Sequence, residues 1–217
     1  MKIEIENKLI EFDIQYGKTK KLSIQIDSIG YIIVKVPKNT SKEMIISAIE
    51  HQGKWILEKL AKIAEAREIP MEKEYQDQGM FFYLGKEYPL DELIETSDLG
   101  EEELKKNLKK FYISSCKKII GERIKSYQQQ LGVKPKSIEI VESKMKWGSC
   151  SSDKKLTFNY RLAMAPIDII DYVIIHELCH LTHMNHDRSF WRRVGSIQPD
   201  YKKKQEYLAR YGQAMTL

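Results

Sequence analysis

Residues 171–187 read Asp171-Tyr172-Val173-Ile174-Ile175-His176-Glu177-Leu178-Cys179-His180-Leu181-Thr182-His183-Met184-Asn185-His186-Asp187. Ile170, Ile174, Leu178 and Leu181 recur at helical spacing and predict a helix with one buried stripe. Tyr172, His176 and His180 fall on another face of that helix. His176-Glu177-Leu178-Cys179-His180 has the pattern HExxH. The four-residue spacing puts both imidazoles on one side, where they can bind one metal ion. Glu177 flanks them, able to accept a proton from water on that metal. By chance the pattern is expected in roughly one of a hundred chains of this histidine content. Four of the five histidines lie within eleven residues, which lowers that chance further.

A metal site needs a third ligand. A catalytic zinc keeps one position for water, whereas a structural zinc is closed by four protein ligands. His183 lies seven residues beyond His176, about 10 Å along a continuing helix. Two nitrogens on one ion must lie within about 4 Å of each other. His186 can reach if the helix ends and the chain folds back, and Asn185 tolerates the left-handed conformation that reverses a chain. His186 is therefore the expected third ligand. Glu206 is the next choice and His183 the last, the latter expected as a supporting or surface residue. Asp187 is expected to cap a following helix whose apolar face is Phe190, Trp191, Val194 and Ile197, a role compatible with orienting His186.

Upstream of the motif, Leu156 to Leu162 reads as a strand. Leu156, Phe158, Tyr160 and Leu162 share one face, and Thr157, Asn159 and Arg161 the other. If the polar face looks onto the His176 helix it lines a cleft; if it meets solvent these are ordinary strand residues. Arg161, Asn159, Tyr172 and Trp147 are the candidates for holding substrate or stabilising an oxyanion. An edge strand here could also pair with an extended peptide. Trp147-Gly148-Ser149-Cys150-Ser151-Ser152-Asp153 reads as a turn-rich segment that could shape the cleft. Cys150 is a further conceivable ligand, and Cys179 fits core packing better than nucleophilic catalysis.

The first forty residues read as β, with Leu22–Ile26 and Tyr31–Val36 forming a hairpin around Ser28-Ile29-Gly30. Thr40-Ser41-Lys42-Glu43 is a capping box, followed by one helix through Ile45, Ile49, Ile56, Leu60 and Ile63 to about Ala66. Glu68 to Gln78 is a polar loop. Phe81 to Leu90 is a second short hairpin around Gly85. Leu104, Leu108, Phe111, Ser115, Ile119, Ile124, Tyr127 and Leu131 mark a long helix ended by Gly132. Ser137–Val141 is a strand, and Pro166 suits a helix start. These elements predict an α+β fold: a zincin-like catalytic helix packed on a small β-sheet, preceded by an N-terminal hairpin-plus-helix unit. The expected division is 1–78 and 79–217.

The chain has 217 residues, 42% hydrophobic and 31% charged, with 11 Gly and 6 Pro, which argues against disorder and low-complexity architectures. No window holds 18 uninterrupted apolar residues, so no membrane-spanning helix is expected. No apolar secretory signal opens the chain, and three cysteines suit a reducing compartment, so a cytoplasmic location is expected. There is no Gly-rich phosphate loop. The net charge of +5 is concentrated between Arg188 and Arg210, where seven bases face two acids. That stretch reads first as a solvated helical surface and second as a patch for weak nucleic-acid association.

Trp147-Gly148-Ser149-Cys150-Ser151, Asn159-Tyr160-Arg161-Leu162, Ala165-Pro166, Asp171-Tyr172-Val173, His176-Glu177-Leu178-Cys179-His180-Leu181, Asn185-His186 and Phe190-Trp191, in this order, resemble the YgjP-like family of predicted zinc-dependent metallopeptidases. These are relatives of the SprT-like and WLM-type metalloproteases. The resemblance extends over nearly the whole chain. It implies Zn2+ held by His176, His180 and His186, with Glu177 as catalytic base. Many relatives carry Ser where Asp187 stands, which leaves the role of Asp187 open. It names no substrate. SprT-like and WLM relatives are associated with proteins crosslinked to DNA, with which the basic C-terminal stretch is compatible.

The leading expectation is thus a zinc peptidase acting on a peptide or protein substrate. The alternative is a zinc-containing nucleic-acid- or protein-binding module without hydrolytic activity, which a fourth ligand such as Cys150 would favour. A Cys-His hydrolase using Cys150 ranks last, because it leaves the histidine cluster unexplained.

Overall fold

The computed structural model describes residues 1–6, 8–19, 21–26, 30, 32–65, 75, 79–143 and 146–217. The chain divides into two compact units, Met1–Glu68 with Gln205–Gln213, and Ile69–Lys204 with Ala214–Leu217.

In the first unit, β1 (Lys2–Ile5) pairs antiparallel with β2 (Lys8–Gly17). β3 (Ser23–Ile26) pairs antiparallel with β4 (Ile32–Pro37), as the hairpin reading expects, and β4 runs parallel to β2, giving the order β1-β2-β4-β3. Its Ser28-Ile29 turn and Tyr31 lie outside the described residues, as do Ala66 and most of the loop from Glu68 to Gln78. The two-residue period turns Ile10 and Phe12, and Ile32, Val34 and Val36, to one face. Ile45 and Ile49 of α1 (Lys42–His51) and Ile56 of α2 (Gly53–Glu65) complete that core.

Two expectations change here. The N-cap is Ser41, whose Oγ accepts from the Met44 N–H at 3.3 Å, while Thr40 Oγ1 donates to the Pro37 carbonyl at 3.0 Å. The single long helix is two, because Gln52 leaves helical geometry (φ −94°, ψ 6°) and Gly53 presses against Ile5. A Cβ at Gly53 would lie 2.8 Å from Ile5 Cγ2. Gln52 N–H still bonds the Ala48 carbonyl and Ile56 N–H the Gln52 carbonyl, so the apolar spacing runs through the break.

The second unit begins with β5 (Met80–Tyr83) and β6 (Lys86–Pro89), paired antiparallel around Leu84-Gly85. Both turn residues have positive φ, 51° and 80°, the twist that suits a two-residue hairpin. The N–H groups of Leu84 and Gly85 donate to the carbonyls of Ala163 and Met164 at 2.9 and 3.0 Å. A short helix α3 (Leu90–Leu93) precedes α4 (Glu101–Leu131), which ends at left-handed Gly132 as expected. Its buried stripe passes through Tyr112 and Cys116, leaving Phe111, Ser115 and Tyr127 half-buried. Both buried groups have polar partners: the Tyr112 hydroxyl donates to the Phe82 carbonyl at 2.7 Å, and the Cys116 thiol to the Asn159 carbonyl at 3.6 Å.

β7 (Ser137–Val141) runs parallel to β9 (Lys155–Asn159). β8 (Gly148–Cys150) pairs antiparallel with the other side of β9 and forms the sheet edge, where a turn-rich segment was expected. The strand expected to reach Leu162 stops at Asn159, whose Oδ1 accepts from the Arg161 N–H at 3.1 Å and opens a 3-10 turn over Tyr160–Met164. Arg161 therefore leaves the strand face it was expected to share with Thr157 and Asn159.

α5 (Ile167–His180) follows with Pro166 at its N-cap and packs on α4 and β8. Arg123 of α4 grips Asp171 of α5 through two bonds of 2.5 and 2.6 Å. Asp187 caps α6 (Arg188–Ile197), accepting from the N–H groups of Ser189 and Phe190 at 2.9 Å each. α7 (Tyr201–Tyr211) comes last. The architecture is α+β, with the motif helix lying on a small sheet.

Candidate metal centre

His176 and His180 sit one turn apart near the end of α5. The helix closes as Leu181, Thr182 and His183 turn back to the carbonyls of Leu178 and Cys179. Six residues beyond His180 the chain has doubled over enough to return His186 to the pair. The three Nε2 atoms lie 3.2 Å (His176–His180), 3.0 Å (His180–His186) and 2.9 Å (His176–His186) apart. Among the described residues this is the one group of three or more His, Cys, Asp or Glu side chains close enough to hold a metal ion.

The cluster is chemically frustrated without a cation. His180 Nδ1 lies 3.0 Å from the His183 carbonyl, which can only accept, so the proton sits on Nδ1 and the Nε2 lone pair points at the other rings. Burial pushes the His176 pKa well below its ordinary value, with the His180 and His186 charges acting the same way, so its ring is neutral. Tetrahedral bonds of about 2.0–2.1 Å from an ion to each nitrogen would separate neighbouring nitrogens by about 3.4 Å. The observed separations are slightly shorter, and the donor set suits such an ion.

The rings are held by aromatic packing from α6. Phe190 stacks on His180 at 4.5 Å between centroids, and Trp191 stacks on His186 at 5.5 Å. Tyr201 stacks in turn on Trp191 at 5.1 Å. The Tyr172 hydroxyl lies 3.3 Å from His176 Nδ1, so it supports the His176 ring from behind.

Glu177 is buried, and among the described residues its Oε2 has no hydrogen-bond partner. Burial pushes its pKa up to about 8, against the opposing charge of Lys146. A cation among the histidines acts in the other direction, toward the carboxylate. The carboxyl meets the backbone of β8: a Cβ at Gly148 would lie 2.7 Å from Glu177 Cγ and Oε1. That contact was missed in the sequence, because the segment reads as turn-rich and a glycine in a turn does not signal close approach the way one in a strand does.

The other expected site residues are differently employed. Asn159 is buried and donates through Nδ2 to the carbonyls of Ser143 and Lys146 at 2.7 and 3.0 Å. It braces the segment leading into β8. Arg161 lies over the Trp147 ring at 5.0 Å. His183 contributes its carbonyl, and its Nδ1 lies 3.4 Å from Ser189 Oγ. Burial first, and then the Glu177 charge, pushes the Cys150 thiol up to about 11, which disfavours a nucleophilic thiolate.

An α+β domain that carries HExxH on a buried helix, and converges a third imidazole from beyond it, has the construction of a metallopeptidase. The YgjP-like metallopeptidase domain matches residues 20–211, and the chain belongs to the YgjP-like family. No curated protein matches the sequence. Among solved structures, the metallopeptidase zymogen of Pyrococcus abyssi abylysin is similar at 23% identity and a TM-score of 0.39, over 41% of this chain and 90% of that one. Among the described residues no helix is long and apolar enough to cross a membrane.

Proposed function

We propose that this chain is a zinc-dependent peptidase in which His176, His180 and His186 hold the metal and Glu177 is the general base. The convergence of three Nε2 atoms beside a buried carboxyl, one oxygen of which has no hydrogen-bond partner among the described residues, carries the reading. Bound there, zinc supplies Lewis acidity toward a carbonyl oxygen and lowers the pKa of water. Glu177 Oε2 takes the proton of the attacking water and returns it to the departing amine. Phe190 and Trp191 hold the rings in place, and Tyr172 and the His183 carbonyl orient them. β8, at the sheet edge beside Glu177, offers backbone groups to an extended peptide.

Three protein ligands leave one position open, which favours catalysis over a closed structural site. Elemental analysis of the untagged protein, with a peptide-library digest read by mass spectrometry, tests the assignment. About one zinc per chain, lost in His186→Ala, is expected. Glu177→Gln should keep the zinc and lose cleavage. Cleavage that survives Glu177→Gln, or a protein that takes up no zinc, refutes the reading.

A further inference from the structure

The second unit carries a cavity of about 600 Å3 that the metal centre does not use, lined in part by Arg161, Ser143, Lys105, Lys106, Lys109 and Glu142. Its volume lies within the range that binds small ligands or a side chain with its flanking backbone. Its charges are unevenly matched. Lys105 pairs with Glu101 at 2.6 Å and with Glu102 at 3.4 Å. Lys109 pairs with Glu142 at 2.7 Å. Arg161 has no carboxylate within ion-pair distance among the described residues. Among the described residues its guanidinium makes one hydrogen bond, from Nη2 to the Ser143 carbonyl at 3.4 Å, and its Nε has no partner there.

A guanidinium withdrawn from water gains most from a planar, two-oxygen anion, because its N–H groups form a fixed fork. The Trp147 ring beneath it fixes the plane of that fork. Hydrogen bonds tie this wall to β9: the Asn159 N–H donates to the Trp147 carbonyl at 2.8 Å, and Asn159 Nδ2 donates to the carbonyls of Ser143 and Lys146. Lys106, exposed at the rim, adds a second cation with no carboxylate partner among the described residues.

The cavity also lies close to the chemistry. Trp147 adjoins Gly148, whose Cα faces the Glu177 carboxyl. The 5.0 Å from guanidinium to ring, the length of the Trp147 side chain, 3.8 Å between successive Cα atoms and 2.7 Å from a Gly148 Cβ to the carboxyl together put the Arg161 guanidinium within about 17 Å of the Glu177 carboxyl. An extended peptide covers that distance in about five residues or fewer.

We propose that this cavity is a carboxylate-recognition subsite, in which Arg161, assisted by Lys106, binds an acidic group of the peptide substrate a few residues from the bond that is cut. The inference rests on the peptidase reading for its place in the reaction, and on the cavity alone for its ligand. Two sources share this chemistry, an Asp or Glu side chain and a peptide's terminal carboxylate.

The test is binding by isothermal titration to the full chain held in chelator, so that neither metal nor turnover contributes. Three pentapeptides are compared: one capped at both ends with a central Glu, the same peptide with Gln, and an acid-free peptide with a free C-terminus. If the side chain is the source, the Glu peptide binds roughly tenfold or more tighter than the Gln peptide. If the terminal carboxylate is the source, the third peptide shows that advantage over the Gln peptide. In either case Arg161→Gln removes the advantage, and the surface variant Lys106→Gln reduces it without a folding risk. Equal binding of all three peptides, or binding of none, overturns the proposal, and the comparison on unmodified protein needs no variant to fold. Carboxylate binding that persists in a protein showing no cleavage would refute the peptidase reading and leave this subsite standing.

Discussion

Replacing Gly148 by alanine adds one methyl group where β8 meets the Glu177 carboxyl. The position is in a strand without positive φ, so the backbone accepts alanine. The side chain does not fit: the new Cβ would sit 2.7 Å from Glu177 Cγ and Oε1, and ordinary contact begins at 3.4 Å. The carboxyl, enclosed by the protein, has to retreat by about 0.7 Å, and a 1 Å misplacement of a catalytic group costs on the order of a hundredfold in rate. The expected loss in kcat is therefore between about tenfold and a hundredfold, with KM for a peptide found in the library digest little changed. Overpacking of this kind should cost roughly 1–2 kcal/mol of stability. The three imidazoles are untouched, so zinc content should match the parent protein. The assay is kcat and KM beside elemental analysis and a thermal melt. A Gly148→Ala protein with full zinc and kcat within about twofold of the parent would show that the approach of β8 does not position Glu177.

Two further predictions concern the scaffold and the thiols. Asp171→Ala removes the two-pronged partner of Arg123 and the tie between α4 and α5; with Arg123 partly exposed the cost is about 1–2 kcal/mol, read from urea unfolding, and no change in midpoint would refute it. Burial raises the Cys116 thiol to about 12, and burial with the Glu177 charge raises Cys150 to about 11, so both are protonated at pH 8. A free thiol with pKa near 8.5 is about a quarter ionised there, so native labelling of these two should be at least about a hundredfold slower than in urea and climb with pH up to about 10. Fast labelling of Cys150 at pH 7 would reopen a thiol mechanism.

Much of the molecule follows from local signals. α4 announces itself by periodicity and by Gly132, α5 by its apolar stripe after Pro166, and the β5–β6 turn by Gly85. The return of His186 is readable because a helix cannot bring His183 to the pair and Asn185 permits a reversal. Other features depend on partners distant in sequence. β8 is Gly-Ser-Cys, residues with little preference for a strand, and it exists because β9 offers it an edge. The end of β9 is hidden by the apolar alternation running on through Tyr160 and Leu162, whereas the Asn159 side chain turns the backbone. Ile49 and Ile56 keep helical spacing across the break at Gln52, so hydrophobicity alone does not reveal it. Arg161 shows the same limit: its place over Trp147 and beside a cavity follows from that turn.

The doubling back of the chain between His180 and His186 also orders events during folding. α5 by itself brings together two imidazoles, a chelate pair that an ion can enter and leave quickly. The third arrives with α6, drawn in as Phe190 seats against His180 and Trp191 against His186. If the three histidines hold the metal as proposed, tight capture waits until α6 has docked. On that reading, removal of the ion frees the exposed 184–185 bend and α6 beyond it, and limited proteolysis in chelator should cut there first.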